Sequence, residues 1–160
     1  MGAKTEALAG RLEEKARDAV ATLVKLGDAD WKKVTAAEKW TVGVTAHHLA
    51  GGLEAVAGIV TGIVSGGPSR GNFTRAMLDE MNAQHAKEFA SCDRAETIAL
   101  FKQGTAEAAA VVRGLSDAEL ATSGTVFTGM PPMSAEDMVK RALLGHLDEH
   151  IGSIRTTIAG

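Results

Sequence analysis

Four long stretches of the chain repeat their apolar residues every third or fourth position, and none alternates them every second, which restricts the fold to packed helices. Leu8, Leu12, Ala16, Ala19, Leu23 and Leu26 form the first such stripe, with Glu13, Glu14, Arg17 and Asp18 opposite, and predict a helix ending near Gly27. Residues 28–40 hold Asp28, Asp30, Trp31 and a capping box of Thr35 with Glu38, so a loop with one helical turn should lead to Trp40. Thr41 is the N-cap of a second long helix running to about Ser65, and the glycine-rich loop Ser65–Gly71 separates it from a third beginning near Phe73 or Thr74. Leu78, Met81, His85, Phe89 and Cys92 share a face of that third segment. Asp93 with Glu96 makes another capping box, at which the helix either kinks or breaks before Ile98, Phe101, Thr105, Ala108 and Val112 carry the stripe onward. Ser134, after Pro131 and Pro132, caps a last helix reaching about Ile158. The expected architecture is an all-α four-helix bundle forming one domain over residues 1–160.

Composition removes several function classes. At 160 residues, 45% hydrophobic and 23% charged, the chain buries a core without disulfides or a structural metal. Its net charge of −3 and its lack of a basic cluster argue against nucleic acid and anionic lipid as partners. The N-terminus reads as charged helix rather than signal peptide. The most apolar run, Ala55 to Val64, is half the roughly 20 residues a membrane helix needs. Cys92 is the only cysteine, which excludes an intrachain disulfide and a thiolate zinc site and fits a reducing, cytoplasmic setting. As a nucleophile Cys92 has only Arg94 nearby, so a buried or incidental thiol is expected. Met130 and Met133 are either soft ligands or loop hydrophobes over a bundle end.

The five histidines carry the chemistry. His146 and His150 stand four apart, which puts both rings on one helical face about 40° apart. Val139, Ala142, Leu143, Ser153 and Thr157 project in the same direction, so that face turns to the core, where two imidazoles need partners or a metal. His47 and His48 diverge by about 100°. His48 lies with Gly52, Ala55, Val56, Ile59 and Ile63 and is read as inward. His47 lies with Gly51, Glu54, Gly58 and Thr61 and is read as outward. Singly, each inward histidine is explained by a hydrogen bond inside the bundle; three on two inward stripes favour a divalent metal with open coordination positions. His85 is either a further ligand, an outer-shell group or core, with core expected. His146 to His150 also spells the H-x-x-E-H pattern of inverted zinc proteases, but no acidic residue follows to complete that ligand set.

Trp40-Thr41, His48 eight residues after the tryptophan, Asp79 with Asn82, and the closing His146-x-x-x-His150-Ile-Gly-Ser-Ile-Arg155 together resemble the DinB-like superfamily of metalloenzymes, whose relatives include mycothiol-dependent maleylpyruvate isomerases and bacillithiol transferases. The resemblance runs from the first helix to Ile158. It implies an up-down-down-up bundle with a long crossover and a divalent metal held by His48, His146 and His150. Two departures stand out: many relatives carry a histidine where this chain has Glu149, and the isomerases carry an additional C-terminal domain.

The function this implies is a metal-dependent thiol S-transferase or related thiol-cofactor enzyme. Zinc or nickel on three imidazoles would bind a low-molecular-weight thiol as thiolate, and an electrophilic substrate would sit in an apolar pocket lined by Trp40, Val56, Met81 and Phe89. Two alternatives use the same residues: hydrolysis by activated water, and a non-catalytic metal-binding bundle acting through protein partners. Gly51, Gly58 and Gly62 permit close helix approach, either in a homodimer or within the bundle.

Overall fold

The structure, a computed structural model, describes residues 2–66 and 73–160 of the chain. Helix α1 (Ala3–Leu23) buries Leu8, Leu12, Ala16, Ala19 and Leu23, and Leu26 folds into the core just beyond its end. The single helical turn α2 (Asp28–Lys32) comes earlier than the Thr35 capping box suggests. That box starts no helix. Residues 33–42 instead close a tight loop in which Val34 and Thr41 pair as an antiparallel bridge and the Thr35 N–H donates to the Trp40 carbonyl at 2.8 Å.

Helix α3 (Val42–Val64) begins at the expected cap, where Thr41 Oγ1 accepts from the Val44 N–H at 3.1 Å. Residues 67–71 of the expected loop lie outside the described residues. The third segment is two helices: α4 (Arg75–Glu88), capped by Thr74, and α5 (Arg94–Arg113), capped by Asp93. A short α6 (Asp117–Leu120) carries the Ser116 and Glu119 capping box. A two-residue ladder, unforeseen in the sequence, then pairs β1 (Ser123–Gly124) with β2 (Met133–Ser134) in antiparallel register, Ser123 opposite Ser134. The closing helix is continuous in three parts: α7 (Ala135–Met138) capped by Ser134, a π-helical segment Val139–Gly145, and α8 (His146–Ala159).

Helix α1 packs on α5, α5 on α3, α3 on the closing helix, and the closing helix back on α1, so four long helices enclose one core. Phe101, Leu12, Leu49, Leu53, Leu143, Ile151 and Ile154 are fully buried there. Each such side chain contributes about 1.5–3 kcal/mol relative to exposure. The α3–α5 approach depends on Gly104, where an added Cβ would stand 3.1 Å from the Ala50 carbonyl oxygen and 3.2 Å from Leu53 Cβ. Gly51, Gly58 and Gly62 have open space at that position, so they do not mediate close packing within the bundle.

Helix α3 has the length and hydropathy of a membrane span by composition alone. Its apolarity serves the core through Leu49, Leu53, Ala57, Val60 and Ile63. Helix α4 stands outside the quartet, against α3, with no residue fully buried. The face expected to unite Leu78, Met81 and His85 in the core is therefore a flank, and Met81 is 54% exposed.

Candidate metal centre

The inward face of α3 and the start of α8 bring His48, His146 and His150 together. His146 Nε2 lies 3.2 Å from His48 Nε2 and 2.8 Å from His150 Nε2, and one ligand atom from each ring falls within 4.8 Å of the others. A tetrahedral ion with bonds of about 2.0–2.1 Å separates its ligand nitrogens by roughly 3.3–3.4 Å, so the cluster is close to the size such an ion needs. The π-helical segment ends at Gly145, the residue before His146. Wide turns of this kind recur beside functional sites because they re-aim the helix that follows.

The fourth member of the cluster is Glu38. Its Oε1 lies 2.8 Å from His150 Nδ1 and its Oε2 accepts from Ser153 Oγ at 2.6 Å, with only 9% and 7% of the His150 and Glu38 side chains exposed. Burial alone would raise the Glu38 pKa, but hydrogen bonds from Ser153, Thr35 and His150 outweigh it and hold the carboxyl below its usual value. With Nδ1–H donated to Glu38, a neutral His150 presents Nε2 as a bare lone pair, the form that ligates. Burial, reinforced by the neighbouring rings, pushes His48 down to about 3 and His146 to about 4. Both imidazoles are neutral at pH 7 and available as ligands.

Several expected residues take other places. Glu149 of the H-x-x-E-H pattern is exposed on the outer face of α8, so the carboxylate serving this cluster is Glu38 and not its sequence neighbour. His47, read as outward from the helical wheel, is covered by α4: its Nδ1 is 2.8 Å from His85 Nε2 and its ring stacks on Phe89 at 3.9 Å. His85, expected as core, is half-buried in that pair. Of the expected pocket, Trp40 stands edge-on to His48 at 5.1 Å and Phe89 covers His47, whereas Met81 faces away into solvent. Cys92 Sγ donates to the Gly43 carbonyl at 3.4 Å, and burial pushes its thiol up, which matches the expected unreactive role. The Trp31 indole N–H donates to the Cys92 carbonyl at 3.0 Å, tying α2 to the α4–α5 junction.

The one signal that could have found Glu38 is its place in a short turn before Trp40. The Thr35–Glu38 spacing reads as a capping box only if a helix follows, and none does. Lys39 is the one non-glycine described residue with positive φ, at 64°. This left-handed residue turns the chain back immediately after Glu38.

The chain matches a known family over most of its length. The sequence profile of the mycothiol maleylpyruvate isomerase N-terminal domain covers residues 12–147. No curated protein sequence matches significantly. Among solved structures, a histidine-to-alanine variant of the mycothiol-dependent maleylpyruvate isomerase superposes with a TM-score of 0.75 at 11% identity, over 94% of this chain and 60% of its own. The isomerase without that substitution gives 0.73 at 12% identity over the same shares. An uncharacterized protein from Clostridium difficile 630 gives 0.78 at 13% identity, over 98% of this chain and 96% of its own. The chain thus spans 60% of the isomerase's length and nearly all of the Clostridium difficile protein's. It belongs to the mycothiol maleylpyruvate isomerase N-terminal domain family.

Proposed function

We propose that this chain is a divalent-metal-dependent thiol enzyme in which His48, His146 and His150 hold zinc or nickel and a low-molecular-weight thiol is activated for transfer to an electrophilic substrate. The observation that carries the reading is the convergence of three imidazole nitrogens on one point, with Glu38 fixing the ring of the most buried one. An ion at that point supplies a Lewis acid that lets a thiol react as thiolate near neutral pH. The protein's own residues do the rest. Burial keeps His48 and His146 unprotonated, Glu38 holds the ligating tautomer of His150, and the Trp40 ring stands against His48.

The family's isomerase is mycothiol-dependent, which supports a low-molecular-weight thiol as the co-substrate here. The same reading places the protein in a reducing, cytoplasmic setting, with Cys92 free, and allows a homodimer across the outer face of α3, where Gly51 and Gly58 are exposed.

Elemental analysis of untagged protein tests the centre. About one equivalent of a transition metal is expected in the wild type and none in His150→Ala. Absence of metal in the wild type, with no uptake at micromolar concentrations, overturns the reading.

A further inference from the structure

The pair formed by His47 and His85 plays no part in the centre just described. One ring donates to the other across 2.8 Å, and Phe89 packs against both, its centroid 3.9 Å from that of His47 and 4.8 Å from that of His85. With Nε2 engaged, His85 Nδ1 is the one buried side-chain nitrogen or oxygen among the described residues that lacks a hydrogen-bond partner. Leaving such an atom unpaired is unfavourable, so a partner is expected when the site is in use. The His85 ring stands edge-on to His48 with centroids 5.9 Å apart, which puts this pair beside the three-histidine cluster.

The chemistry of the pair defines its partner. If the His47 Nδ1–H donates, the neutral His85 keeps its proton on Nδ1 and offers a donor; if the His85 Nε2–H donates, Nδ1 is a bare acceptor. A group that can both donate and accept suits either arrangement. Hydroxyl and amide groups do so without a charge that would have to be desolvated.

We propose that His85 Nδ1 is a hydrogen-bonding subsite for a hydroxyl or amide arm of the small-molecule thiol that binds at the three-histidine centre. The proposal rests on the thiol reading of that centre. A thiol lacking the arm leaves the buried nitrogen unpaired, and a site of this kind discriminates against the analogue that lacks the group.

Cobalt-substituted protein titrated with N-acetylcysteamine, and separately with ethanethiol, tests it through the sulfur-to-cobalt charge-transfer band. The wild type should bind the amide-bearing thiol about tenfold more tightly, as one net hydrogen bond allows. His85→Asn keeps a polar atom near the Nδ1 position and gives up the link to His47; His85→Gln reaches towards His47 and vacates Nδ1. The preference should survive in His85→Asn and vanish in His85→Gln, with cobalt content unchanged in both. The nitrogen-15 shift of His85 Nδ1 should move with N-acetylcysteamine and not with ethanethiol. A preference kept by Gln and lost by Asn, or equal wild-type affinities with the band present, overturns the subsite alone. No band with either thiol overturns the thiol reading and the subsite with it.

Discussion

Glu38 Oε1 and His150 Nδ1 lie 2.8 Å apart although 112 residues separate them in the chain. The contact joins the tight loop before α3 to the closing helix, and Ser153, one turn beyond His150, donates to the other carboxylate oxygen at 2.6 Å. Orientation of a ligating ring by a carboxylate is a recurring arrangement, because it fixes the tautomer and raises the basicity of the opposite nitrogen. Here the carboxylate also ties two elements of the bundle at the cluster itself.

Replacing Glu38 by Gln keeps the side chain's shape and removes its charge. Metal affinity should fall about 10- to 100-fold, read by competition with a chromophoric chelator. Glu38→Ala should in addition destabilise the metal-free protein by about 1–3 kcal/mol, because His150 Nδ1 and Ser153 Oγ lose their partner in a buried setting. Unchanged metal affinity in Glu38→Gln would show that the carboxylate does not orient the ligand.

Much of this arrangement is legible in the sequence, for a reason that also marks the limit. Helical periodicity fixes direction within one element, so it turns His48, His146 and His150 to the inward faces, and capping chemistry marks Thr41, Asp93 and Ser134. Periodicity says nothing about which second element will cover an outer face. His47 points away from the core, yet α4 lies over it. Met81 shares a stripe with His85, yet α4 meets α3 along a flank and leaves that methionine exposed. Glu38 is not legible in this way because loops have no period, and its spacing from Thr35 imitates a helix start.

Gly104 is the point where α5 meets the backbone of α3. In Gly104→Ala the new methyl must displace either the Ala50 carbonyl or Leu53, neither of which has room to move in a filled core. The intrinsic helix propensity of alanine favours the substitution by about 1 kcal/mol. Overpacking typically costs about 1–3 kcal/mol and should outweigh it. The denaturation midpoint in urea should therefore fall with an unchanged slope, and a rise would mean that the α3–α5 approach is looser than these distances indicate.

Lys39 sits in the left-handed region at φ 64°, one residue after Glu38. A β-branched residue tolerates this conformation poorly, so Lys39→Val should destabilise the protein by about 1–2 kcal/mol and weaken metal binding by loosening the loop that delivers the carboxylate. Lys39→Gly should retain the wild-type metal affinity, since glycine adopts the same backbone freely. Equal metal affinity in Val and Gly variants would separate the loop's geometry from the Glu38 contact.

Acid should destabilise the metal-free protein well before ordinary carboxylates titrate. His48 is held at about 3 and His146 at about 4, each first by burial, against a free value of 6.5. Below pH 6.5 the unfolded chain takes up protons on these rings while the folded chain does not, so stability is lost progressively as pH falls from 6.5 towards the folded values. Glu38 acts in the same direction at lower pH, since its depressed carboxyl favours the folded state above its free value of 4.5 and loses that contribution as it protonates. Calorimetric melting of chelator-treated protein should show a flat Tm above pH 7 and a decline beginning near 6.5. His48→Asn should decline less steeply between pH 6 and pH 4.5, having removed one of the rings that burial holds neutral. A wild-type Tm independent of pH across that interval would show that the cluster's imidazoles are solvated and charge freely in the folded state.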